Sequence, residues 1–340
     1  MSGGRIARSR REGFLSVPDP LISIIVPTYN YAHYLGECLS SILALDGGWD
    51  FEVIVIDDAS TDDTQEILEP YSAPNFRKVH NTKNLGHIGT ITRGLEMARG
   101  SYIARIDPDD RYHANFFNDV IPALEANPSV GLVYGAVQMI DSEGHDSGLV
   151  FDDVHDRQPF TGNQFIRLLG HNFICAAGSI ARAEAWRQAL PIPQHLAFND
   201  WYFTLMISRH WDQAYVPEVL ADYRVHPGNH HSKIVLDGSE KSSILWLLDT
   251  VYATPETDPE LDRAKQAARN QVLSAHLLDS GRKFLGAGMY PDARASFLSA
   301  IRHRPSLLLQ VAVVRHTFAS LAGKRTYEVL KRLIKLRSNS

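Results

Sequence analysis

Between residues 21 and 106, short apolar runs alternate with stretches of helical periodicity, and this alternation leaves few folds open to the chain. Strands separated by helices must be joined by crossovers, which gives a mostly parallel sheet flanked by helices. Residues 21–26 (Leu-Ile-Ser-Ile-Ile-Val) read as a strand stopped by Pro27, and residues 33–45 as a helix ending near Gly47 and Gly48. A second buried strand at 51–56 is halted by Asp57 and Asp58, after which Ser60 or Thr61 caps a helix running to Glu69. Residues 76–80 and 101–106 are further strands, separated by a helix at 89–98 that Gly100 closes. The expected architecture is an α/β, Rossmann-like nucleotide-binding fold.

The pattern loosens after Phe116. Residues 130–140 read as a strand, 141–156 as a polar loop, 160–169 and 201–209 as helices, and 215–216 and 220–225 as short extended pieces. Past His231 the periodicity is helical, at 242–252, 259–280, 291–303, 306–321 and 325–336. The expected organisation is a flexible basic leader over residues 1–19, an α/β domain over 20–235 and an α-helical region over 236–340.

Composition narrows the classes. With 340 residues, 44% hydrophobic and 21% charged, the chain has enough apolar material for a large core. A formal net charge of -5 argues against a general nucleic-acid binder. Cys38 and Cys175 stand far apart and in no metal-ligand spacing, as expected of reduced cysteines in a cytoplasmic compartment. No apolar run reaches the length of about 18 residues that a membrane span requires, and the basic N-terminus lacks the apolar segment of a secretory signal.

The chemistry concentrates at Asp107-Pro108-Asp109-Asp110, directly after the strand at 101–106. Ligands of open α/β sheets bind at the carboxyl ends of strands. Carboxylates crowded there repel one another unless a hard cation or a polar ligand takes up the charge. A divalent ion bridging Asp109 to a diphosphate would do so; a solvated acidic turn is the plainer alternative. No glycine-rich phosphate loop follows the first strand, which ends instead in Pro27-Thr28-Tyr29-Asn30. A nucleotide would therefore be held by side chains and turn backbone, with Asp58 accepting a pyrimidine imide N–H and Tyr29 stacking on the base.

Five motifs, Pro27-Thr-Tyr-Asn30, Asp57-Asp-Ala-Ser-Thr-Asp62, Asn84-Leu-Gly86, Asp107-Pro-Asp-Asp110 and Asn199-Asp-Trp201, stand in an order and at distances that resemble the inverting family 2 glycosyltransferases of GT-A fold. The resemblance covers roughly residues 21–230. It implies a nucleotide-sugar donor, with a UDP-sugar the expected one, lined at its base and ribose by Pro27, Thr28, Tyr29 and Asn30. Asp58 would read the pyrimidine, Asn84 and Gly86 would close over the nucleotide, and Asp107 would face the ribose or donor sugar. Asp109 would hold Mg²⁺ or Mn²⁺, with His226 of Tyr223-Arg-Val-His226 beside the diphosphate. Asp200 would be the catalytic base that deprotonates an acceptor hydroxyl on a glycan or lipid-linked acceptor. Asn199 stands where the family usually carries glutamate, and the Gln-x-x-Arg-Trp signature of processive polymerases is missing, so transfer of one or a few sugars in polysaccharide synthesis is expected. Asp200 is also a good helix cap. A nucleotidyltransferase, or a non-catalytic nucleotide-binding module that recruits partners, remains open on the residues alone.

In the helical region, residues 288–305 resemble one half of a tetratricopeptide-type hairpin, too little to build a solenoid. The last helical stretch carries Lys324, Arg325, Lys331, Arg332, Lys335 and Arg337 around Leu330, Leu333, Ile334 and Leu336. Such a basic amphipathic segment suits peripheral contact with an anionic membrane.

Overall fold

The computed structural model describes residues 21–152, 154–228 and 234–321. Its strands are β1 (Ile22–Thr28), β2 (Phe51–Asp57), β3 (Phe76–His80), β4 (Tyr102–Arg105), β5 (Arg111–Tyr112), β6 (Val130–Ile140), β7 (Asp146–Phe151), β8 (Phe160–Gly162), β9 (Ser179–Arg182) and β10 (Asp212–Arg224). The helices are α1 (Ala32–Leu43), α2 (Thr64–Leu68), α3 (Gly86–Met97), α4 (Phe116–Ala126), α5 (Phe165–Gly170), α6 (Ala183–Gln188), α7 (Asp200–Ser208), α8 (Ser239–Ala253), α9 (Pro259–Gly286) and α10 (Tyr290–His303). A 3₁₀ turn at Pro305–Leu309 leads into α11 at residues 311–321.

The strands form one sheet in the order β3-β2-β1-β4-β9-β6-β10-β5, with β7 added to β6 and β8 to β10. β3, β2, β1 and β4 run parallel, as do β6 and β10. Between these groups β9 runs antiparallel to both β4 and β6. The carboxyl ends of all six parallel strands therefore meet one edge of the sheet. That common edge is where a ligand site is expected.

Successive side chains along a strand point to opposite faces, and both faces here are covered. Ile22, Ile24, Val26, Val53 and Val55 join α1 and α4 in one core. Ile25, Ile54 and Ile56 point the other way, towards α3, α5, α6 and α7. The same second core continues without interruption into Ile244, Leu247, Leu248 and Val251 of α8 and Val272 and Leu273 of α9. A smaller core under Phe297 joins the end of α9 to α10 and α11.

Several elements depart from the expectation. β1 runs through Pro27 instead of stopping there, paired with β2 at Ile56. Odd-numbered β1 residues face β4, since Ile106 N donates to Ile25 O, whereas Thr28 O accepts Asp58 N on the β2 side. Proline's missing N–H thus points past the last residue of β4, where no ladder partner waits. The helix expected at 160–169 begins only at Phe165, because residues 160–162 pair with β10. β10 is one long strand, not two short pieces, and absorbs its irregularity as bulges around Val216 and Val219. The helix expected at 306–321 is divided at Gln310 into the 3₁₀ turn and α11. The leader, His230, His231 and the helix expected at 325–336 lie outside the described residues.

Candidate active site

At the ends of β1 and β2, the backbone is drawn into a tight double turn. Asn30 and Ala59 both adopt left-handed φ, at 57° and 62°, which non-glycine residues hold only where surrounding contacts impose it. The contacts are present. Asn30 N donates to Ser60 Oγ at 2.9 Å, and Asn30 Oδ1 accepts Thr61 N at 2.8 Å. Pro27 and Thr28 are buried behind this turn, and Tyr29 is 44% exposed at its mouth.

Asp58, buried at the end of β2, accepts Asn81 Nδ2 and Leu85 N on Oδ1 and Gly86 N on Oδ2, all between 2.7 and 2.9 Å. The carboxylate thereby satisfies N–H groups at the start of α3, where helices leave them without backbone partners. Asn84 Oδ1 shares the Gly86 N–H at 2.9 Å. Gly86 takes φ 75°, which glycine adopts without steric cost.

The acidic turn after β4 is held from behind. Arg224, fully buried on β10, donates through Nε to Asp109 O at 2.8 Å, and its backbone N donates to Asp110 Oδ1 at 2.9 Å. Its guanidinium also reaches Glu37 Oε2 at 2.8 Å and lies over the Tyr34 ring. Two residues on, His226 Nε2 lies 3.1 Å from Asp109 Oδ2. Asp107 Oδ2 meets Arg105 at 3.3 Å, while Asp107 Oδ1 is buried without a hydrogen-bond partner. Burial and then the charge of Asp107 push the Asp109 carboxyl up, and burial with Asp109 and Asp107 pushes Asp110 up further. These groups are arranged against their own charge.

Asp200 opens α7. Its Oδ2 accepts Asn172 Nδ2 at 3.2 Å, and Asn172 Oδ1 in turn accepts Thr204 Oγ1 at 3.3 Å. Neighbouring Asn199 is buried and accepts Arg105 Nη1 at 2.8 Å. The same Arg105 nitrogen lies 3.2 Å from His87 Nε2. Contacts therefore run without a gap from Asp58 through Gly86 and His87 to Arg105, and on to Asn199 and Asp200. Cys175 lies between the stations: burial pushes its thiol up to about 12, and the charges of Asp110 and Asp200 both contribute.

Sequence reasoning singled out the carboxylates and His226. It missed Asn172, Arg224 and His87. Arg224 carried one available signal, a full charge inside an apolar strand pattern. A separate trio, Asp141, Glu143 and His145, also brings ligand atoms within 4.8 Å of one another. It sits in the β6–β7 turn, where Asp141 Oδ1 accepts Glu143 N and His145 N.

A mixed sheet presenting a carboxylate turn and an acidic helix start at one carboxyl edge is the arrangement of a GT-A glycosyltransferase. Residues 23–189 match the family model described as Glycosyl transferase family 2. An uncharacterized glycosyltransferase of Haemophilus influenzae is 31% identical over 234 residues, spanning 63% of this chain and 68% of that protein. Among solved structures, Staphylococcus aureus TarS 1–349 in complex with UDP-GlcNAc superposes with a TM-score of 0.56 at 17% identity, covering 85% of this chain and 91% of that one. The mannosyltransferase PcManGT from Pyrobaculum calidifontis, in complex with GDP-Man and Mn²⁺, gives 0.57 at 17% identity, covering 90% and 85%. The chain belongs to glycosyltransferase family 2 and is a glycosyltransferase.

Proposed function

We propose that the enzyme transfers a sugar from a nucleotide-diphospho-sugar, with UDP-sugar as donor class, to an acceptor hydroxyl with inversion at the anomeric carbon. The acceptor is a glycan or lipid-linked saccharide of cell-surface polysaccharide synthesis, met on the cytoplasmic side of the membrane. The observation that carries this reading is the unbroken run of contacts from Asp58 to Asp200 across the edge that also bears Asp107 and Asp109.

Asp58 retains an acceptor position on Oδ2 for a pyrimidine imide, and Tyr29 stands exposed beside it for stacking. Pro27, Thr28 and Asn30 shape the wall for base and ribose. Asp107, steadied by Arg105, faces the ribose or donor sugar, while Asn84 and Gly86 close the loop over the nucleotide. The residues fit a hard divalent ion, since Asp107 Oδ1 lacks a hydrogen-bond partner and Asp109 is held above its ordinary range. Asp109 and His226 would hold Mg²⁺ or Mn²⁺, which when bound offsets the negative charge gathering on the departing diphosphate. Asn172 engages Oδ2 of Asp200, leaving Oδ1 to take the proton of the attacking hydroxyl.

A panel of nucleotide-sugars, assayed for thermal stabilisation and nucleoside diphosphate release with Mn²⁺ or with chelator, tests the reading. Asp200→Asn is expected to lower kcat by about 10²–10⁴-fold while keeping donor-induced stabilisation. Unchanged turnover in that variant would remove Asp200 from the mechanism.

A further inference from the structure

The far end of the helical region presents an apolar face that nothing among the described residues covers. In α11, Val311, Val314, Phe318 and Leu321 recur at three- and four-residue steps and so share one side of the helix. Val311 is 81% exposed and Phe318 63%. Just before them, Leu308 and Leu309 of the 3₁₀ turn are also exposed, Leu309 by 86%. The opposite side of α11 is anchored: Val313 and Ala319 are buried in the core with Phe297, and the His316 ring stacks on Phe297. The helix is thus fixed with its apolar stripe outward. Monomeric proteins rarely leave such a contiguous patch without a partner.

Charge identifies the partner. From Arg302 to Ser340 the sequence carries nine lysines and arginines against one carboxylate, Glu328, in a chain of net charge -5. The rest of the molecule is therefore strongly acidic, and an anionic surface attracts this end while repelling the remainder. A second copy docked on the same face would set one cationic cluster against another.

We propose that the 3₁₀ turn and α11 form a docking surface for an anionic lipid bilayer. The aliphatic and aromatic stripe enters the interfacial region, and the neighbouring Arg302, Arg304 and Arg315 meet lipid phosphates. The surface shares the membrane-side placement proposed above but uses none of the active-site residues.

Flotation of the full chain with vesicles of phosphatidylcholine alone, or mixed with phosphatidylglycerol, is the test. Binding is expected only to the mixed vesicles and should weaken as salt rises. The double variant Leu309→Glu, Phe318→Glu should lower partitioning by about tenfold or more. Arg304→Gln and Arg315→Gln should each lower it by roughly fivefold. Melting temperature and turnover on a soluble acceptor should stay unchanged, so failure of the docking surface and failure of the glycosyltransfer reading are told apart. Equal binding to both vesicle types, no binding to either, or a double variant that floats like the parent would overturn the proposal. So would a dimer in sedimentation that Phe318→Glu dissolves, or stronger vesicle binding after deletion of residues 322–340.

Discussion

Asn172 donates its amide to Asp200 Oδ2 and ties its own oxygen to Thr204 and the Ile174 backbone. A carboxylate held in this way presents one oxygen in a fixed direction, which matters when a poor nucleophile must lose its proton on attack. Asn172→Ala is expected to lower kcat by about ten- to hundredfold with little change in donor KM, as steady-state kinetics would read. Asp109 argues in the opposite sense. Burial and Asp107 hold its pKa above the usual carboxylate range, so its contribution to stability is full at low pH and is lost as pH rises through that raised value. In chelator at neutral pH, Asp109→Asn should therefore raise the melting temperature, by roughly 2–4 °C. The same variant should lose the further rise that Mn²⁺ gives the parent protein. The acidic turn was legible in the sequence because charge after an apolar strand is conspicuous. Arg105 and Asn199 were not legible as a pair, since 94 positions separate them and only the sheet brings them together.

At the scale of elements, an aromatic contact adds to the shared core between α7 and the helical region. The His276 ring of α9 packs at a tilt of 38° against Trp201, and its Nε2 lies 2.8 Å from Leu169 O. Burial pushes this imidazole below its usual 6.5, against the opposing effect of the Leu169 carbonyl. A depressed folded pKa gives stability that is full above about 6.5 and is lost as pH falls through the lower folded value. Melting temperature should therefore drop between pH 7 and pH 5, and His276→Gln should make that drop shallower by roughly 2–4 °C. A variant with an undiminished drop would place the titration elsewhere. Strands β1 to β4 with their helices were readable because their apolar runs are continuous. β9 and α6 were not anticipated: four residues, Ser179–Arg182, carry too little pattern, and their strand character comes from neighbours β4 and β6. Residues 160–162 likewise obey β10 and not their own helical periodicity.

For the whole molecule, composition shifts near residue 235 while the core does not. Ile244, Leu247, Leu248 and Val251 pack in the same cluster as Trp201, Phe203 and Leu205. Ser243 Oγ also accepts Ala197 N, just ahead of Asp200 in the chain. A protein cut after residue 235 would expose this face, and it is expected to aggregate or lose near-ultraviolet circular dichroism while the full chain retains it. A soluble, cooperatively melting fragment would show that the boundary in composition is also a boundary in folding. Sequence patterning separates the two regions because it sees periodicity, whereas burial joins them across the interface.

β9 acts as a gauge. On one side lies the raft of β3, β2, β1 and β4, which ends in the loops of Asn30 and Asp58 and the acidic turn. On the other lie β6 and β10, whose buried Arg224 braces that turn from across the gap. One strand running the contrary way keeps the two rafts about 10 Å apart, twice the ordinary interstrand spacing. Chimaeras that exchange the β6 and β10 segments between relatives must therefore carry this strand over intact, or the brace and the turn it serves will no longer meet.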